Sequence, residues 1–366
     1  MSSPLTGDDL SFATEARQAP LRRAAGPRPV SLFWTRVRRA LRRQVSAFIV
    51  AAVLISGVGL MYAYADDVPW LVALPICLAI GLVLAFALCA VFELSRNTIT
   101  SVASLGKHRG YTVLGAAPEL TPEALRELPP DQRTPLGCLI YQPASPFATS
   151  FRDLQGGIGK KGLIAFISSV PNDGASTTAL GAAVSATQQG RRVLLVDCDV
   201  RRRSLTRSLV GDVETGIAQA ADRPQGWQNL LMQESETGLD FMPAAPPKNP
   251  WATLVCMHAF PLLVEDMKRE YDLIIFDCPP ALASAEGAML ARLADKCIVV
   301  AAWDDTAIGT LRQSMRAINR PAPSMGVYVN RVPPGYRFGR LRPPKPSSAG
   351  EGSGRPGRVR TVRSPR

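Results

Sequence analysis

Two long apolar runs, 45–65 and 69–94, dominate the first quarter of the chain and are separated only by Asp66, Asp67 and Val68. A bilayer core takes about 20 helical residues, so each run is long enough to cross it. Each is also too evenly apolar for the buried helices of a soluble core. They predict a two-helix transmembrane hairpin over 44–94. Residues 1–43 lack apolar periodicity and read as a disordered arm; they are too long for a signal peptide, and the run that follows carries no cleavage signal. Residues 95–157 mix short apolar pieces with Pro129, Pro130, Pro135, Pro143 and Pro146, and predict a linker with one or two short elements.

From Gly162 the texture changes. The short aliphatic runs 163–168, 192–196, 239–242, 273–276, 296–301 and 326–329 predict strands, and 177–189 and 309–318 predict helices between them. This alternation implies an α/β domain over 158–332, a parallel sheet with helices on both faces. The tail, 333–366, is rich in proline, glycine, serine and arginine, has Glu351 as its single acid, and predicts disorder because it cannot bury a core.

Charge adds a topology. The net charge of +12 is concentrated at the two ends, with nine arginines in the arm against Asp8, Asp9 and Glu15. Arg96, Lys107 and Arg109 follow the second run, whereas the connector is acidic. Positive residues stay on the cytoplasmic side, so both termini are expected there, with two spans in a bacterial inner (plasma) membrane. The basic ends suit membrane lipids or an acidic partner, and nucleic acid is not among the expected partners. Seven cysteines without a C-x-x-C pair, and only His108 and His258, support neither a zinc site nor a disulfide framework.

The chemistry lies at strand ends. The strand 163–167 runs into Ser168-Ser169-Val170-Pro171-Asn172-Asp173-Gly174-Ala175-Ser176-Thr177 and then a helix. A P-loop has this frame: backbone N–H groups and a helix N-terminus cradle phosphate while a lysine neutralises charge. Here the lysine position holds Ala175. Two further strands end in Asp197-Cys198-Asp199-Val200-Arg201 and Asp277-Cys278-Pro279-Pro280. Their carboxylates emerge at the edge where open α/β sheets bind ligands. Taken singly, an aspartate there is equally a turn or helix cap. Together they make Gly174, Ser176, Thr177 and Arg201 candidates for ATP or ADP, Ser176, Asp197 and Asp277 candidates for Mg²⁺, and Asp197, Asp199 and Asp277 candidate catalytic groups.

With these motifs in order, the chain resembles the bacterial tyrosine kinases and polysaccharide co-polymerases, a chain-length-determinant family. Their loop reads S-S-V-P-G-E-G-K-S-T where this chain reads S-S-V-P-N-D-G-A-S-T. The likeness covers about 69–332 and includes Asp197, Asp199 and Arg201, then Arg202-Arg203-Ser204-Leu205, the Gly238-Leu239-Asp240-Phe241-Met242-Pro243-Ala244 stretch, Asn249-Pro250, Asp277, Val329-Asn330-Arg331, and Gly110-Tyr111-Thr112-Val113-Leu114-Gly115 after the second run. It implies a P-loop NTPase fold of the MinD/ParA type and a role in exopolysaccharide or capsule synthesis and export. The departures are as specific. Ala175 replaces the lysine, and Asn172 and Asp173 replace the first glycine and the glutamate. The E-x-x-R-x-x-R assembly helix keeps only Arg152. The tail past Arg331 has one tyrosine, Tyr336, and the large periplasmic domain is reduced to a few residues. The expectation is a pseudokinase-type regulator or scaffold. Its partners would be a polymerase, a glycosyltransferase, a co-polymerase subunit or further copies in a homo-oligomer. The competing readings are an active ATPase or autokinase of unusual loop chemistry and a membrane-tethered positioning ATPase.

Overall fold

The structure, a computed structural model, describes residues 49–62, 64, 69–94, 97–100, 105, 112–247, 249, 253–320 and 324–334. The basic arm, the acidic connector 66–68, Arg96, Lys107, Arg109, the Gly110-Tyr111 pair, Pro250, Tyr336 and the tail beyond 334 lie outside the described residues. The chain divides into two compact units, Met1–Asn97 and Thr98–Arg366.

In the first unit residues 49–62 are helical, and Trp70–Leu94 forms a 25-residue helix. The two helices approach closely: a Cβ on Gly81 would collide with Ser56 Oγ, so the absent side chain permits the contact. Outward-facing apolar side chains are abundant, with Val53 64%, Leu71 69% and Val83 66% exposed. Among the described residues no helix is long and apolar enough to cross a membrane. A spanning role for this hairpin therefore rests on its sequence and on that apolar exterior.

The second unit is built on a sheet of eight strands among the described residues: β1 Val113–Pro118, β2 Gly162–Ser168, β3 Val193–Asp197, β4 Met232–Gln233, β5 Asp240–Met242, β6 Leu273–Asp277, β7 Lys296–Ala302 and β8 Met325–Val332. Their order is β1-β8-β7-β2-β6-β3-β5-β4. All neighbours are parallel except β4 and β5. The six predicted strands are all present, within a few residues of their expected ends.

Strand alternation sends successive residues to opposite faces. Leu163, Ala165 and Ile167 of β2 join one core with Phe260, Leu263, Leu290 and Leu311 from the helices Phe260–Glu270, Ala285–Leu293 and Ile308–Ile318. Ile164 and Phe166 join the other with Leu139, Phe151, Leu154 and Ala183 from the helices Pro135–Tyr141, Pro146–Ile158 and Ala175–Thr187. Both faces of the sheet are covered, which is why its strands are almost entirely apolar.

The span expected to be a linker is largely part of this unit. β1 is the edge strand beside β8, and Phe151, Leu154 and Ile158 are buried in the core. Three of the prolines that suggested a loop open helical turns instead: Pro130, Pro135 and Pro146 each sit in a first turn. There a missing N–H costs nothing, because that donor would have no intrahelical partner. Thr134 and Ser145 complete the starts by accepting the N–H groups of Gly137 and Ala148 at 3.0 and 3.2 Å. The helix Pro146–Ile158 then lies close on the phosphate-loop helix. A Cβ at Gly181 would stand 2.6 Å from the Phe151 ring.

Candidate functional site

The phosphate loop begins where β2 ends and closes at the helix Ala175–Thr187. Two of its residues take left-handed backbone conformations, Asn172 at φ 69° and Gly174 at φ 97°. Asparagine is one of the few residues that tolerates this region, so the turn survives the replacement of glycine at 172. Gly174 has no such latitude, because a Cβ there would overlap Asn330 Nδ2. That amide, on β8, donates to the Asp173 carbonyl at 3.3 Å and braces the loop from the far side. Asp173 itself points inward, only 2% exposed. Its carboxylate accepts the Val170 N–H and the Thr306 hydroxyl. Burial pushes its pKa up to about 6 against those hydrogen bonds, with Asp305 adding to the rise and Arg331 opposing it.

Asp197 and Asp277 are register partners at the ends of β3 and β6. Their surroundings separate their roles. Asp197 Oδ1 accepts the Asp199 N–H at 3.0 Å, and Oδ2 accepts both the N–H and the hydroxyl of Thr206, at 2.9 and 2.7 Å. Asp197 therefore caps the helix Ser204–Leu209 in its first turn. The Thr206 hydroxyl in turn accepts the Ala244 N–H at 2.8 Å, tying the end of β5 to the same point. Burial raises the Asp197 pKa to about 6 in spite of these bonds.

Asp277 is as deeply buried, yet its Oδ2 has no hydrogen-bond partner. The Ser176 hydroxyl bonds the same carboxyl, and Ser176 Oγ lies 3.2 Å from Ser204 Oγ. Burial first, and then the neighbouring Asp197, hold the Asp277 carboxyl well above the usual carboxylate range. Asp199 is spent on a local turn, its Oδ1 accepting the Arg202 N–H at 3.0 Å.

A cleft of about 410 Å³ opens over these groups. The loop contributes Asn172, Gly174, Ala175, Ser176 and Thr177, the turn after β3 contributes Asp199, Arg202 and Ser204, and Arg331 enters from β8. Leu136, Leu180, Leu205 and Leu209 form an apolar wall. Of the residues expected from sequence, Gly174, Ser176, Thr177 and Asp199 thus line one cleft, with Asp277 joined to it through Ser176. Asp197 is committed to the Ser204–Leu209 helix. Arg201 is exposed and acts on Glu286, whose carboxyl it draws down against the larger effect of burial. Arg202 and Arg331 are the cations lining the cleft among the described residues. Arg331 belongs to the Val329-Asn330-Arg331 stretch already notable in the sequence, whereas the arginine expected there from the Asp197-Asp199-Arg201 stretch is Arg201, and it is its neighbour Arg202 that lines the cleft.

A Mg²⁺ ion that binds together with phosphate needs only one or two protein oxygens. The Ser176 hydroxyl and the unpartnered, buried Asp277 oxygen fit that requirement. Asp197, the third candidate, already accepts hydrogen bonds through both of its oxygens. Among the described residues no group of three His, Cys, Asp or Glu side chains forms a self-sufficient metal site.

The family model for the ATPase MipZ matches residues 166–306. The tyrosine-protein kinase YwqD of Bacillus subtilis is 32% identical over 134 residues, covering 36% of this chain and 56% of its own. The succinoglycan biosynthesis transport protein ExoP of Rhizobium meliloti is 25% identical over 224 residues, covering 57% of this chain and 28% of its own. The chain thus spans between about a quarter and about a half of the length of these curated relatives. Among solved structures, the kinase domain of the Escherichia coli tyrosine kinase ETK superposes with a TM-score of 0.56 at 20% identity, over 66% of this chain and 99% of that domain. Fold, loop frame and homologues agree: the protein is a relative of the bacterial tyrosine-protein kinases, carrying a P-loop-type parallel α/β domain in which Ala175 takes the lysine position.

Proposed function

We propose that this protein is a membrane-anchored, catalytically weak relative of the polysaccharide-linked tyrosine kinases that works as a regulator or scaffold of an exopolysaccharide synthesis or export complex. The observation that carries this reading is Ala175: it lines the cleft at the lysine position, 7% exposed, with a methyl group where the charge-neutralising ammonium is needed. Phosphoryl transfer depends almost wholly on positioning and on neutralising charge that develops on the transferring group. Losing that cation removes a charge-assisted contact that strengthens in the transition state, so turnover suffers more than binding. The N–H groups at the start of the helix Ala175–Thr187 and the Ser176 hydroxyl still suit the phosphates of ATP or ADP. Bound Mg²⁺ would supply positive charge beside Ser176 and Asp277.

The polysaccharide role is drawn from relatives such as ExoP, and the partners proposed are a polymerase, a glycosyltransferase or a co-polymerase subunit. Anchoring by the 44–94 hairpin in the inner membrane, with both termini cytoplasmic, is supported by the apolar runs, the arginine bias and the exposed apolar side chains of the helices. Measuring ATP turnover and tyrosine phosphorylation by the purified full chain, beside Ala175→Lys, tests the reading. Negligible wild-type activity that the lysine raises at least tenfold supports it; robust Mg²⁺-dependent wild-type turnover that Asp277→Asn abolishes overturns it. That second outcome would install the active-ATPase reading, which the two cleft arginines, Arg202 and Arg331, favour.

A further inference from the structure

We infer that Arg202, held against Asn172, is the phosphate-binding cation of this cleft, supplying from the turn after β3 the charge that position 175 lacks. The inference rests on the nucleotide-cleft reading above and is separable from it, because it concerns binding rather than turnover.

The geometry begins with two residues thirty positions apart. Arg202 Nη2 donates to Asn172 Oδ1 at 3.3 Å, so the guanidinium is tied to the phosphate loop itself. Its backbone is fixed from the other side, the Arg202 N–H donating to Asp199 Oδ1 at 3.0 Å. Both side chains line the cleft beside Gly174, Ala175 and Ser176. Asn172 departs from the family glycine at this place and is what the arginine bonds to. Two of the three departures from the family loop are thus complementary: Ala175 removes a cation, and Asn172 offers an anchor for another.

A guanidinium has five N–H donors in a rigid fork, so one bond to Asn172 leaves donors for a phosphate, which arginine can hold through two parallel bonds. Arg331 is placed differently, acting on the Asp173 carboxyl beneath the loop. An independent sign that the cleft takes a ligand is the buried Asp277 Oδ2 without a partner, on the carboxyl bonded by Ser176. Leaving such an oxygen unsatisfied is costly unless something arrives to meet it.

The ligand chemistry is a chain of two or more phosphates, which a nucleotide or inorganic pyrophosphate could bring. The test is titration calorimetry on the full chain in detergent with ADP, ATP, pyrophosphate and adenosine, in Mg²⁺ buffer. For Arg202→Ala, affinity for ADP and ATP is expected to fall at least tenfold with adenosine binding unchanged, and Arg202→Lys should recover part of the loss. Arg201→Ala, on the neighbouring turn residue, should stay within twofold of wild type. Pyrophosphate binding that shows the same dependence on Arg202 assigns the contact to phosphate rather than to the base. The assignment is overturned if folded Arg202→Ala, checked by its thermal melt, binds ADP and ATP like wild type. Equal sensitivity at Arg201, an equal loss for adenosine, or folded wild-type protein that binds no phosphate ligand also overturns it. Rapid ATP turnover by the wild type would sink the non-catalytic reading while leaving Arg202 in place.

Discussion

Gly174 and Asn330 stand in direct apposition: the Asn330 amide occupies the space a side chain on residue 174 would need, and the same amide donates to the Asp173 carbonyl at 3.3 Å. The loop is therefore shaped by β8 as much as by its own backbone. Gly174→Ala meets both the overlap and a φ of 97°, and is expected to cost about 2–4 kcal/mol. Denaturant unfolding of the α/β unit within the intact chain reads this directly. Adding Asn330→Ala should return only part of the loss, since it relieves the overlap and leaves the backbone strain.

Asp173 gives the loop a pH dependence of definite sign. Its pKa is raised from 3.8 to about 6 by burial, so the folded state holds the proton more tightly than the unfolded chain does. Its contribution to stability is complete below about pH 4 and is lost as pH rises through about 6. Asp173→Asn keeps an acceptor and removes the titration. Relative to wild type, this variant should gain on the order of 2–3 kcal/mol between about pH 4 and 7. A stability difference that stays flat across that range would refute the assignment.

The register partners Asp197 and Asp277 should respond in opposite ways to substitution. Asp197→Ala strands the Thr206 N–H and breaks the relay through the Thr206 hydroxyl to Ala244, and is expected to destabilise by about 2–4 kcal/mol. Asp277→Asn removes a buried carboxyl with an unpartnered oxygen and a pKa raised by burial, so near neutral pH the variant should be at least as stable as wild type. Melting curves for the two variants decide this; a large loss in Asp277→Asn would mean that its oxygen is satisfied by an interior water or ion.

The topology proposal has a simple readout. Reporter fusions at residue 67 and at the C-terminus are expected to report the periplasmic and the cytoplasmic side, respectively. A cytoplasmic signal at 67 would remove the hairpin from the membrane.

Much of the α/β unit is legible in the sequence. Strands such as 273–276 are buried on both faces and so read as unbroken apolar runs, and the frame from Ser168 to Thr177 is contiguous in the chain. The start of the unit was not legible, because Pro135 and Pro146 look alike in a loop and in a first helical turn. Which of the two applies depends on whether the following residues find a core, and Phe151 finds one against Gly181 and Tyr328.

The same division runs through the site. The sequence by itself determined the phosphate-loop frame, the loss of its lysine at Ala175, the acidic strand ends and the apolar hairpin, all of which are local patterns. Tertiary structure alone decided that Arg202 rather than Arg201 enters the cleft, that Asp197 caps a helix while Asp277 keeps an open oxygen, and that Asn330 locks Gly174 from 156 positions away. Those choices turn on the direction in which a side chain leaves a turn and on which strands become neighbours. Both are set by long-range packing, which residue spacing along the chain does not encode.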